Sequence, residues 1–122
     1  MDQKPSWNVY KADCPTRQVL DCIADKWALL IVASLLERSQ RTGELRRGIE
    51  GISQKMLTQT LRALERDGIV RRDLFPSVPP RVDYELTPLG QALAAIVDQL
   101  RGWSEANIEA VLASQAAFDS GV

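Results

Sequence analysis

Apolar residues recur along this chain at helical spacing in four stretches and at alternate positions in one, which predicts a mainly α fold with a small antiparallel β-hairpin. Cys14-Pro15 opens a first helix, because proline at the first helical position has its φ preset and gives up no needed donor. Val19, Cys22 and Ile23 give that helix one apolar stripe, and it should end near Asp25. Trp27, Leu30, Ile31, Ser34 and Leu35 repeat inside a nearly continuous apolar run, so Trp27 to Leu36 reads as a buried central helix. After a polar break at Arg38 to Arg41, Thr42 is placed to cap a short helix through Arg47, and Gly48 and Gly51 mark the turn out. Ser53 then caps a helix running to Asp67, with Leu57, Leu61 and Leu64 as its inner stripe and Gly68 as its stop.

Two strands follow, Ile69 to Phe75 and Arg81 to Leu86, joined by a proline-rich tip that cannot continue a sheet. In the second, Val82, Tyr84 and Leu86 alternate with Arg81, Asp83 and Glu85, the pattern of a half-buried strand with its charges outward. Thr87-Pro88 repeats the cap-then-proline signal. Leu89, Leu93, Ile96, Leu100 and Trp103 then follow at heptad spacing. Ile108, Val111 and Leu112 fall out of phase with them, which predicts a bend or a second helix near Gly102 to Ala106. Unbroken to Phe118, the helix would run on the order of 45 Å, more than a domain of this size covers, and a second subunit is the expected cover. The organisation expected is a polar arm over residues 1–13, one domain over 14–118 and a short tail over 119–122.

Composition narrows the chemistry. With no His and two Cys in 122 residues, the usual imidazole base and the commonest zinc ligand are absent. No phosphate loop or nucleophile motif occurs, so neither an enzyme nor a cofactor is expected. The longest apolar run, Trp27 to Ala33, falls well short of the roughly 18 residues of a membrane span, and the first ten residues carry no apolar leader. A cytoplasmic protein with reduced thiols and no membrane partner is expected.

The formal net charge of -1 conceals a segregation. Residues 38–81 hold ten bases and five acids, nine of the bases being Arg, whereas the remainder holds five bases and eleven acids. Arginine's planar fork suits phosphates and guanine edges, so the central window favours nucleic acid over an incidentally basic surface. The order helix, helix, short helix, turn, helix, ribbon, helix is that of a winged helix-turn-helix. Its second helix would present Ser53, Gln54, Lys55, Thr58, Gln59 and Arg62 to base edges in the major groove of double-stranded DNA. Arg46 and Arg47 would hold phosphates from the preceding helix, and Arg71, Arg72 and Arg81 would do so from the ribbon. The competing reading is a winged-helix module that binds protein through the same basic face.

The strings Cys14-Pro15, Lys26-Trp27, Gly43-Glu44-Leu45-Arg46-Arg47, Gly51-Ile52-Ser53-Gln54-Lys55-Met56-Leu57-Thr58-Gln59-Thr60-Leu61, Val78-Pro79-Pro80-Arg81-Val82-Asp83-Tyr84 and Leu86-Thr87-Pro88-Leu89-Gly90 resemble the HxlR family of bacterial transcription regulators. The likeness runs from about Cys14 to Trp103, departing at Ala28, Asp25 and Gly43. It implies a MarR-like winged-helix homodimer, here expected to be a repressor, on a pseudo-palindromic operator near its own or a neighbouring gene. It also implies dimerisation through the N- and C-terminal helices, which here places Val19, Ile23, Leu93, Ile96, Leu100 and Trp103 at the interface.

Some regulators of this kind resemble sensors of oxidants or electrophiles that use a Cys near the first helix, where Cys14 stands. A helix N-terminus and the neighbouring Lys11 and Arg17 would lower its pKa, Asp13 would raise it, and the thiolate is the reactive form. Equally, Cys14 suits a cap or a small buried residue. Cys22 lies eight residues on, a rise of ~12 Å along the helix against the ~7 Å limit between bridged Cα atoms, so no bond between the two is expected. Cys22 itself reads as packed and inert.

Overall fold

A computed structural model describes residues 6–121. Its elements run α1 (Pro15–Ile23), α2 (Lys26–Leu35), β1 (Gln40–Arg41), α3 (Thr42–Gly48), α4 (Gln54–Arg66), β2 (Val70–Phe75), β3 (Arg81–Leu86) and α5 (Pro88–Ser120). The apolar run of α2 forms the centre, with Ala28, Ile31, Val32 and Leu35 buried. Leu45 from α3 and Leu57, Leu61 and Leu64 from α4 have no exposure at all. Val70, Tyr84 and Leu86 close the core from the sheet. Each fully buried leucine contributes about 1.5–3 kcal/mol relative to an exposed one, so the spacing of three residues fixes which side of α4 faces inward.

The expected hairpin is a three-stranded antiparallel sheet of order β1-β3-β2, because the polar break before α3 supplies a two-residue strand pairing Gln40 with Tyr84 and Arg41 with Asp83. Two residues are too few to show alternation. That added strand also corrects the expectation for Asp83, which is only 7% exposed although it alternates with the core-facing positions. Its carboxylate takes two bonds from Arg81, Nε to Oδ1 at 2.8 Å and Nη2 to Oδ2 at 2.9 Å, so the buried charge is paired. At α3 the N-cap is Arg41 and not Thr42, and it is the Glu44 carboxylate that accepts from the Arg41 N–H at 3.1 Å.

Helix α5 corrects the expected bend, running 33 residues, about 50 Å, without a break. No proline follows Pro88, and Gly102 costs only about 1 kcal/mol against alanine, too little to interrupt a stretch rich in Ala, Gln, Glu and Leu. The helix takes in Asp119 and Ser120 of the expected tail, whose residue 122 lies outside the described residues. Only Gly90, Ala94 and Val97 are buried and Leu93 is partly so, whereas Leu89, Ile96, Leu100 and Trp103 are exposed. Among the described residues no helix is long and apolar enough to cross a membrane.

Thr87 alone separates β3 from α5. Its N–H donates to Ile69 O at 3.1 Å, its Oγ1 accepts from the Gly90 N–H at 3.0 Å, and Gly90 sits against the same Ile69 carbonyl with no room for a Cβ. Gly90→Ala should therefore destabilise by about 1–3 kcal/mol despite alanine's higher helix propensity, measured as a lower midpoint in urea unfolding.

Candidate nucleic-acid interface

The turn between α3 and α4 is pinned at both ends by buried Ile49 and Ile52, and Gly51 takes φ +89° between them, a conformation that side chains disfavour. Ser53 Oγ then accepts from the Met56 N–H at 3.1 Å and starts α4. With the leucines inside, Gln54, Lys55, Thr58, Gln59 and Arg62 all lie in solvent, and no acid stands in the first turn. Gln54 Nε2 donates to Thr58 Oγ1 at 3.1 Å, so two hydrogen-bonding side chains are held together on that face. The face has the donors and acceptors that read base edges, on a rod narrow enough for a major groove.

The cations divide by their partners. Arg46, Arg47, Lys55 and Arg62 make no ion pair among the described residues, whereas all three ribbon arginines do. Arg71 Nη2 is 2.7 Å from Glu85, with Asp73 at 3.1 Å from its Nε; Arg72 lies 3.8 Å from Glu65, and Arg81 holds Asp83. The strand register sets Arg71 and Arg81 on one face of the sheet and Arg72 on the other. Arg72 therefore shares a cavity of about 590 Å³ with Thr58, Arg62 and Arg66, and Arg81 shares one of about 740 Å³ with Arg38, Arg41 and Arg47. Arg38, Arg41 and Arg66 were missed as candidates. They lie in the basic window, but only the β1 pairing and the α4 to ribbon approach bring them to these clefts.

Cys14 is the N-cap of α1 and 8% exposed. Its thiol pKa is lowered, chiefly by the Thr16 hydroxyl donating to Sγ at 3.0 Å and then by the Asn8 N–H at 3.3 Å, while burial and Asp13 oppose. The direction is the expected one, the cause is not. Arg17 is turned away and ties down the arm, donating to Val9 O at 3.0 Å and Tyr10 O at 2.8 Å. Cys22 shifts upward, through burial first and then Asp67. Both thiols are free. The residues assigned to a dimer interface fall into two groups: Val19, Ile96, Leu100 and Trp103 are exposed, whereas Ile23 and Leu93 are half-buried.

A profile of the HxlR-like helix-turn-helix family matches residues 22–111. The chain belongs to the HxlR-like family of transcriptional regulators. The helix-turn-helix regulator YtfH of Escherichia coli (strain K12) is 45% identical over 106 residues, covering 87% of this chain and 84% of that one. The solved structure of the transcriptional regulator ytfH from Salmonella typhimurium superposes with a TM-score of 0.86 at 41% identity, over 91% of this chain and 99% of that one. The redox regulator HypR in its oxidised form superposes at 0.72 with 42% identity, over 77% and 97%. Other solved neighbours are described as MarR-family regulators, in keeping with the mainly helical winged fold.

Two pH dependences follow from the site. In Cys22→Ser the thiolate of Cys14, followed by absorbance at 240 nm, should form below the ordinary thiol range, and in Cys14→Ser that of Cys22 above it. The Glu44 carboxyl is held down first by the Arg41 N–H and then by Arg38, and that of Asp83 by Arg81. Both folded-state values lie below the unfolded ones. The stability they add is present above the ordinary carboxylate pKa of about 4 and lost as pH falls through the lower folded values. Unfolding midpoints measured from pH 6 down to 2 should fall less steeply with acid in Asp83→Asn than in the unaltered chain.

Proposed function

We propose that this regulator binds DNA as a homodimer, each α4 entering a major groove at one half of a pseudo-palindromic operator, and that it acts there as a repressor. The observation that carries this reading is the acid-free face of Gln54, Lys55, Thr58, Gln59 and Arg62, solvent-exposed and backed by three leucines without exposure. Ser53 starts the helix toward the groove, and Arg46 and Arg47 meet backbone phosphates beside it. Arg71 and Arg72 reach the duplex by exchanging a carboxylate for a phosphate, whereas Arg81 faces the duplex while still paired with Asp83, so the ribbon is a weaker contributor than α3 and α4.

Dimerisation uses α1 and α5. Past Val97 no residue of α5 is buried, although Leu100, Trp103, Ile108, Leu112 and Phe118 are large and apolar. Most helical stability in proteins comes from packing an apolar face, and a second copy burying Val19, Ile23, Leu93, Ile96, Leu100 and Trp103 supplies that packing. Redox or electrophile response through Cys14 is supported by its lowered pKa and by the likeness to a protein described as a redox regulator, HypR. An oxidant that accepts two electrons and two protons would join Sγ to the Cys14 thiol of a second subunit or to a small thiol as a disulfide, whereas an electrophile would add to the Sγ thiolate directly.

The test is affinity for duplex DNA flanking the regulator's own gene. With six or more phosphate contacts it should weaken ~1000-fold between 50 and 200 mM salt. Lys55→Ala or Arg62→Ala should reduce it a further ~10-fold or more. Indifference to both salt and substitution would instead favour a module that binds protein. Affinity measured before and after diamide or a quinone should change in the unaltered protein and not in Cys14→Ser; equal responses would discard Cys14 as the switch.

A further inference from the structure

The cleft of about 740 Å³ between α3 and the ribbon is lined by four guanidinium groups, Arg38, Arg41, Arg47 and Arg81, and two carboxylates, Glu44 and Asp83. The carboxylates are already engaged. Glu44 Oε2 lies 2.9 Å from Arg38 Nη1 while its Oε1 takes the Arg41 N–H, and Asp83 is held by both arms of Arg81. Arg41 and Arg47 remain. The nearest carboxylate to Arg41 is Asp83 at 4.0 Å from Nε, too long for a hydrogen bond, and Arg47 has no ion pair among the described residues. Because position 43 is glycine, Arg47 lies back along α3: its Nη1 would be 3.3 Å from a Cβ there. The cleft is thus a walled trough with two positive charges in excess and two uncommitted planar forks.

We infer that this cleft seats a backbone phosphate of the bound duplex, with Arg41 and Arg47 as its ligands and Arg38 and Arg81 as walls that Glu44 and Asp83 hold in place. This rests on the DNA-binding reading above. A phosphodiester carries one negative charge on two unbridged oxygens, which matches a fork-to-oxygen pairing. The trough is open and far larger than a free phosphate. It also joins the ribbon tip at Pro80 to the last turn of α3 at Arg47, both on the DNA side of that reading, so a continuous strand fits it better than an isolated anion. Arg41 thereby extends the contact beyond α4 to the strand that leads into α3.

The experiment measures affinity of the full chain at 50, 100 and 200 mM salt for two duplexes of equal length, one from DNA flanking its own gene and one of random sequence. Arg41→Ala should weaken both about tenfold and reduce the salt slope by about 0.9 per subunit engaged, because a phosphate contact carries no sequence information. Arg41→Lys should restore the slope but not the full affinity, since an ammonium keeps the charge and loses the fork. The Arg41 side chain is half exposed, and an unchanged unfolding temperature will show that the variants fold. Unchanged affinity and slope in Arg41→Ala, while Lys55→Ala still weakens binding, would overturn the inference and leave the DNA-binding reading intact. Failure of the unaltered chain to bind either duplex overturns both. A loss confined to the flanking-gene duplex, or an effect of Arg41→Ala on inorganic phosphate binding but not on DNA, also overturns it.

Discussion

Leu57, Leu61 and Leu64 lose all exposure in the same helix that leaves Gln54, Lys55, Thr58, Gln59 and Arg62 in water, and the rest of the surface is organised around that division. Rolling α4 by one residue would expose leucines worth about 1.5–3 kcal/mol each and press amides and cations into the buried face of α2, Ala28, Ile31, Val32 and Leu35, which has no polar side chain to offer. Helix α2 is the backing plate: Ile31 and Val32 are as enclosed as the leucines they meet. Within the helix, Thr60 is the one polar side chain drawn inward, and its hydroxyl is satisfied by Met56 O at 2.7 Å.

Electrostatics adds a second layer of order. The basic window reads as a single block in the sequence, yet its cations have distinct roles in space. Those of the ribbon are committed to acids across the strand pair, along their own strand or across the turn from α4, and those of α3 and α4 are largely open. A carboxylate beside an arginine lowers the local field while fixing the direction of the fork, so the ribbon is better described as shaped than as charged.

Local rules account for much of this fold. Cys14-Pro15, Ser53 and Thr87-Pro88 start helices within a residue of where they were expected, and Gly68, at φ +76°, ends α4 as a glycine should. What stayed hidden depends on partners distant in the chain. Strand β1 exists because β3 has an open edge, Asp83 is buried because β1 covers it, and Arg38 and Arg41 join Arg81 only once that edge is filled. The direction of the Cys14 shift was legible from its place at a helix start. Its cause was not, because the Thr16 hydroxyl turns onto Sγ only in the folded first turn and the Asn8 N–H reaches it only after the arm has folded back. The unbroken α5 shows the converse error, a change of apolar phase being absorbed by a change of exposed face rather than by a kink.

The joint at Thr87 has a mechanical side. The root of the ribbon and the first turn of the longest helix meet on one carbonyl, Ile69 O, with a single residue between strand and helix and no slack to take up rotation. A tilt imposed anywhere along that 50 Å shaft is therefore delivered to the ribbon as a lever delivers it, with the long arm outside the domain and the short arm beside the basic face of α4.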